Sequence, residues 1–326
     1  MCERPGFASC ASRADVICFV PSRDAVPALI CFCYAVMELT KKFVKHKNPC
    51  VDGFRWFLRH HQEGSDYQPL LDALVAAGRV DDACWLLTQF GPTDTVLTLN
   101  AIEAEAMVFA GTLVVQGNID VGSVLRAGRS IKAGGGVRAG HSLIAGENIQ
   151  IAGSIRSEGM VDARGDIKAG WGIEVQGNMR CGGDLRADWD LLCGGDLLVA
   201  GHVFARADLK VEGLLRCEKT IRAGGAIDGR DRIWVGNGIE SGDTITCEGH
   251  LEAGWGIKAK EAIVCNGAIK AGESVQAVGE IQAGNGYGIY AGLNVHFDAW
   301  EASGQVHARS KPECLMSGWW GGACVA

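Results

Sequence analysis

Residues 126–149 read RAGRSI (Arg126–Ile131), KAGGGV (Lys132–Val137), RAGHSL (Arg138–Leu143) and IAGENI (Ile144–Ile149). The same frame runs from Val114 to Ile281, through 28 hexads without a slip. The sixth position is Ile, Leu, Val or Met every time, from Ile119 to Ile281. A fixed short period marks a solenoid, a rod that grows by adding units rather than by enlarging one core.

Position 2 of the hexad is small or short, as at Ala127, Ala133, Ala139, Ala163, Val175, Cys181 and Ala253. Positions 6 and 2 lie two residues apart, so in a strand they share one side. Position 1 between them points outward and carries Arg126, Lys132, Arg138, Lys168, Arg180, Arg186, Lys210 and Arg222. Each hexad is therefore one short strand. Gly fills position 3 or 4 in 23 of the 28 hexads, and the sequence predicts that these glycines turn each corner with positive φ. Three strands and three corners close a coil of about 18 residues, and coils stack about 4.8 Å apart. The prediction is an all-β parallel β-helix, three-sided, of about nine coils and on the order of 45 Å long.

The order Ile-x-Ala-Gly-x-x resembles bactofilins and the FapA-like polymerisation domains, with their Ile-x-Ala/Val-x-Gly runs. In hexapeptide acyltransferases, which form left-handed β-helices, the small residue sits two before the aliphatic one; here it sits two after. The resemblance implies a right-handed helix. It covers residues 101–306 and does not include the segment before them.

That segment divides in two. Residues 1–37 hold Cys2, Pro5, Cys10, Cys18, Pro21 and Pro27, and an apolar run from Val26 to Met37. The run is too short to span a bilayer and precedes no small-x-small cleavage site. It reads as a poorly ordered extension, with Met37 as a possible start. Residues 38–92 read as a small module of three helices. Phe54, Trp56, Phe57 and His60 share one helix. Asp66 caps a second, which carries Leu70, Leu71, Leu74 and Val75 and ends at Gly78. Asp81–Phe90 forms a third, stopped at Gly91-Pro92. So thin a core is expected to rest on the end of the rod. Val96–Leu99 is strand-like, and Met107 and Leu113 already sit six apart, which places the β-helix at 93–306 with its start near Ala101. After Ile281 the repeat frays, Val295 regains the spacing, and Val306 is the last residue in phase. Residues 307–326, with Pro312, Trp319 and Trp320, read as a C-terminal cap with the two indoles as lids.

A net charge of −7 argues against nucleic acid as partner. No membrane partner is expected, and a homo-oligomer is compatible with the repeat. The 14 Cys do not make a disulfide scaffold at this length, and Cys181, Cys193, Cys217, Cys247 and Cys265 all sit at position 2 as core fillers. This points to a reduced, cytoplasmic protein. Cys31-x-Cys33 and His46-x-x-x-Cys50 lack a zinc partner set; no metal and no cofactor is expected. His141, His202 and His250 fall at corners, with no protruding loop beside them. Asp162, Asp166 and Lys168 are the nearest approach to a carbohydrate-active cluster.

The surface signal is aromatic. Trp171 and Trp189 share position 4, and Lys168 and Arg186 share position 1 of the same two hexads. Eighteen residues apart, the indoles should lie on adjacent coils, either stacked on each other over the corner or presented to a sugar ring or a partner protein. The expected function is a non-catalytic scaffold that binds a protein, with Trp171, Trp189, Lys168 and Arg186 as the contact set. The alternatives are a self-assembling bactofilin-like structural protein, and a carbohydrate-active or acyltransferase-type enzyme.

Overall fold

In the strand Ile131–Ala133, Ile131 and Ala133 are buried while Lys132 stands exposed between them. The same in-out-in pattern marks strand after strand as far as Val275–Ala277. The alternation follows from the pleat, which sends successive side chains to opposite faces. The computed structural model describes residues 38–61, 64–294 and 303–324. Its strands form three parallel sheets, which the chain visits in the order I, II, III from Val96 to Tyr290. Sheet I runs from Val96–Leu99 to Trp319–Gly322 and holds thirteen strands among the described residues; sheet II runs from Ile102–Ala104 to Ile281–Gln282 with eleven; sheet III runs from Met107–Phe109 to Leu315–Ser317 with twelve. Neighbouring strands pair in register 18 residues apart, as Ile149 with Ile167 and Lys168 with Arg186. The rod has about twelve coils, close to 60 Å in length at the strand spacing.

The core is a set of aliphatic columns, one rung per coil, such as Leu125, Leu143, Val161 and Met179. Cys181, Cys217 and the alanines of position 2 fill the space beside them. Phe109 stands at the first rung of a position-2 column, opposite Ala127, and is buried. Its larger ring closes the end of a core that small residues fill elsewhere.

The corner glycines serve a different purpose from the one the sequence suggested. Within residues 114–281 none has positive φ. A Cβ on Gly140 would lie 1.9 Å from the carbonyl oxygen of Gly122, and one on Gly159 would lie 1.8 Å from that of His141. The amide of Gly140 donates to Val121 in the coil below at 2.9 Å. Where a corner carries glycine, the residue thus admits a close approach of stacked backbones and does not make a left-handed turn.

The rod starts earlier than Ala101. Val96–Leu99 already pairs in parallel with Thr112–Val115, at a spacing of 16 residues. Before it lie four helices rather than three: α1 Lys41–His46, α2 Val51–His60, α3 Tyr67–Ala76 and α4 Val80–Phe90. Thr40 caps α1, its hydroxyl accepting from the amide of Phe43. Cys50 caps α2 in the same way through Sγ. Asp66 holds the cap position of α3 but makes no side-chain cap bond. A two-residue antiparallel pairing, Glu38–Leu39 with Ser65–Asp66, ties the module together.

Leu39, Phe57, Leu70, Leu71, Leu74 and Leu86 form the module's core, and Val108 and Ala110 of the rod belong to the same cluster. The module therefore rests on the rod's end, and also wraps onto its side. Val108 points outward from sheet III and is buried only because the helices cover it. Arg126, next up the same column, donates to the carbonyl of Cys84 at 3.0 Å and to Thr88 at 2.8 Å.

At the other end, Leu315–Ser317 and Trp319–Gly322 extend sheets III and I beyond Val306. The segment read as a cap thus carries further strands. Trp320 is the register partner of Val306 but is 41% exposed, and Trp319 is 52% exposed, so neither indole is buried as a lid. Val295 and the irregular stretch after it, like residues 1–37, lie outside the described residues.

Candidate partner-binding ridge

Trp171 follows the sheet I strand Ile167–Ala169, and Trp189 follows Leu185–Ala187. Both stand on the corner between sheets I and II, one coil apart. They are 68% and 58% exposed. The same position is Gly153 in the coil below and Ala207 in the coil above. Their main chains join the stack there, Trp171 donating to Gly153 at 3.2 Å and Trp189 accepting from Ala207 at 3.4 Å. Small neighbours on both sides leave the two indoles as a raised ridge. They form no ring-on-ring contact with each other among the described residues. Leu192, outward on sheet II and 38% exposed, continues the apolar surface around the corner.

Lys168 and Arg186 are register partners in sheet I, as their spacing predicts. Each is held by an acid close in sequence: Lys168 pairs with Asp166 at 3.3 Å, and Arg186 with Asp188 at 2.9 Å. Arg186 also lies over the ring of Phe204, 4.9 Å from its centroid. These cations flank the indoles but are already engaged, so the ridge offers apolar area rather than free charge. Pairs like these at partly exposed positions contribute at most about 1 kcal/mol each. The second such platform is Arg216 over Trp234 at 4.7 Å, outward on sheet III. Both platforms join residues 18 apart, so the period alone contains the signal that finds them.

The other polar residues of the repeat are absorbed by its backbone. At the corner between sheets III and I, position 5 forms a ladder. Asn148 accepts from the amide of Asp166 at 2.8 Å, Asp166 from Asp184 at 2.9 Å, and Asp184 from His202 at 2.8 Å. Two further corners repeat the device, with Asn178 to Asp196 and Asp190 to Asp208. The amide of Asp184, and then Lys168, hold the Asp166 carboxyl below its ordinary value. His250 takes the same role, Nδ1 accepting from Ala268 at 3.0 Å. Of the three residues nearest to a carbohydrate-active set, Asp166 and Lys168 pair at 3.3 Å, whereas Asp162 projects from sheet III and Lys168 from sheet I.

The five in-phase Cys are buried. Their thiols donate to corner carbonyls of the coil below, as Cys217 to Gly201 at 3.2 Å and Cys265 to Gly249 at 3.0 Å. Burial pushes the Cys181 and Cys217 thiols up to about 11. Cys247 and Cys265 are register partners; the shared hydrogen bond, then burial, raises Cys247. Among the described residues no group of three His, Cys, Asp or Glu side chains could hold a metal ion, and no helix is long and apolar enough to cross a membrane.

Residues 37–90 match the model of the family described as the YdhT N-terminal domain. The match covers the helical module and stops short of the rod. The chain matches no curated protein and no solved structure.

Proposed function

We propose that the protein is a non-catalytic β-solenoid scaffold that binds a protein partner along the Trp171–Trp189 ridge, in a reducing, cytoplasmic setting. The observation that carries this reading is the exposure of two indoles on consecutive coils where the fold needs only glycine or alanine. Large aromatic residues at the centre of a docking surface are the usual anchors of protein interfaces. The catalytic alternative draws less support, because the corner Asp and inward Cys side chains already serve the backbone. The self-assembling alternative is weakened at one end by the helices lying over the first strand of sheet III.

The test is affinity capture with the full chain, followed by binding measurements on the purified partner. Replacing Trp171 and Trp189 by Ala should weaken that binding at least about tenfold, the loss expected of hot-spot residues. Circular dichroism should not change. Trp255→Ala, on the corner between sheets III and I, is the control. Undiminished binding by the double variant would sink the proposal.

A further inference from the structure

The net charge of −7 conceals a local reversal. Residues 38–61 carry Lys41, Lys42, Lys45, Lys47, Arg55 and Arg59 against Glu38 and Asp52 alone. From residue 93 onward the chain has 28 acidic residues against 21 Lys and Arg. Residues 62–92 carry five acidic residues against Arg79 alone, so the basic surplus is confined to the α1–α2 segment at the tip of an acidic rod.

All of these cations but Lys47, which lies over the Phe90 ring at 5.7 Å, are exposed, and Lys41, Lys42, Lys45 and Arg59 have no ion-pair partner among the described residues. Arg55 is paired only loosely, with Asp52 at 3.8 Å. On α2, Phe57 faces the module's core. The opposite, solvent face holds Val51, Arg55, Leu58 and Arg59, at the i, i+4, i+7, i+8 spacing of one helix side. Val51 is 64% exposed and Leu58 36%. Neither side chain belongs to a core cluster among the described residues. Basic and aliphatic residues thus share one water-facing surface, the composition of an interfacial helix.

We infer that the α1–α2 face binds the surface of an anionic lipid bilayer, with the rod directed away from it. Charge complementarity favours the tip and repels the rod. The nearby cavity, lined by Val44, Phe57, Leu70 and Leu74, measures about 30 Å³, too small to take a peptide side chain. Phe43, 43% exposed, packs edge-on against Phe90 at 5.1 Å, and Trp56 stacks on His60 at 4.6 Å. These contacts leave a poor platform for stacking successive bases of a nucleic acid. A fluid surface that accepts aliphatic side chains between anionic headgroups suits this face.

The full chain is sedimented with vesicles of phosphatidylcholine alone and with vesicles about one-third phosphatidylserine. Binding is expected only to the second, and should fall as salt is raised to about 0.5 M. Lys41→Glu, Lys42→Glu and Lys45→Glu together should lower partitioning at least about tenfold. Val51→Asp with Leu58→Asp should do likewise, and since all five are surface positions the helical signal is expected to persist. Trp171→Ala with Trp189→Ala should leave vesicle binding intact, which separates this face from the ridge. No binding to anionic vesicles, or binding that survives both sets of changes, overturns the inference. So does retention on DNA or polyglutamate without vesicle binding, which assigns the face to another class of polyanion.

Discussion

The side-chain amide of Gln68 occupies the place of a missing strand beside Val108. Its Nε2 donates to the Val108 carbonyl at 3.0 Å, and its Oε1 accepts from the Ala110 amide at 2.8 Å. One residue of α3 thus supplies both a donor and an acceptor to the edge of sheet III, spaced as a peptide group would supply them. Gln68→Leu keeps the bulk and removes both bonds. Leaving two buried backbone groups unpaired should cost roughly 2–4 kcal/mol of docking stability. Hydrogen exchange at the Ala110 amide is the readout. That amide should lose protection while those of the central coils keep theirs.

The corner glycines permit a paired test. Gly140→Ala places a methyl group 1.9 Å from the Gly122 oxygen and forces two coils apart. Gly136→Ala meets nothing nearer than 3.4 Å. The first should destabilise the rod by about 1–3 kcal/mol or more, and the second by well under 1 kcal/mol. Urea denaturation compares them. Equal costs would restore the backbone-conformation explanation.

Two carboxylates should respond to pH with opposite signs. Asp166 is held below the ordinary 3.8, so its contribution to stability is present above that value and is lost as pH falls through the lowered one. Asp166→Asn keeps an acceptor for the Asp184 amide and should flatten acid unfolding below about pH 4. Asp72 is pushed up to about 6 by burial, against the opposing effect of its bond from Gln68. Its contribution is greatest below 3.8 and is lost as pH rises through about 6. The residue is nonetheless exposed to solvent, which screens the effect, so the dependence should be shallow. Asp72→Asn should raise module stability slightly at pH 7.5 and not at pH 4, as measured by Trp56 and Trp85 fluorescence in urea.

The cysteines should divide by reactivity. Cys50 and Cys314 are exposed, whereas Cys181, Cys193, Cys217, Cys247 and Cys265 are buried. Burial puts all five out of reach, and Cys181, Cys193, Cys217 and Cys247 are also raised and so little ionised at neutral pH. Brief alkylation of the native protein, read peptide by peptide, should modify Cys50 and Cys314 and spare the five in the rod until denaturant is added. Early labelling of Cys217 would mean that the rod opens locally.

Ile131-Lys132-Ala133 and its repeats made the rod legible, because a two-residue alternation inside a six-residue frame admits few folds. The same frame located Trp171 and Trp189 on one ridge. It did not reveal that Lys168 and Arg186 turn to Asp166 and Asp188, since those bonds lie within a coil and do not depend on the period. Asn148, Asp166 and Asp184 look like surface corner residues in one dimension; only stacking shows each accepting the next coil's amide. Gln68 was hidden for a plainer reason. A polar residue on a helix ordinarily faces water, and its burial depends on a strand 40 residues away. The basic surplus of α1 and α2 was lost when its charges were summed with those of the acidic residues 62–92 and of the rod.

The three-sheet register gives insertions and deletions a simple arithmetic. Removing one whole coil of 18 residues returns every later side chain to its own sheet. Removing one hexad passes every later strand to the next side of the prism. Upstream of Trp171, both indoles would move together to another edge; between Trp171 and Trp189, they would part onto different edges. The spacing between two aromatic residues thus works as an angular coordinate, and length changes in this chain steer a binding surface around an axis as well as along it.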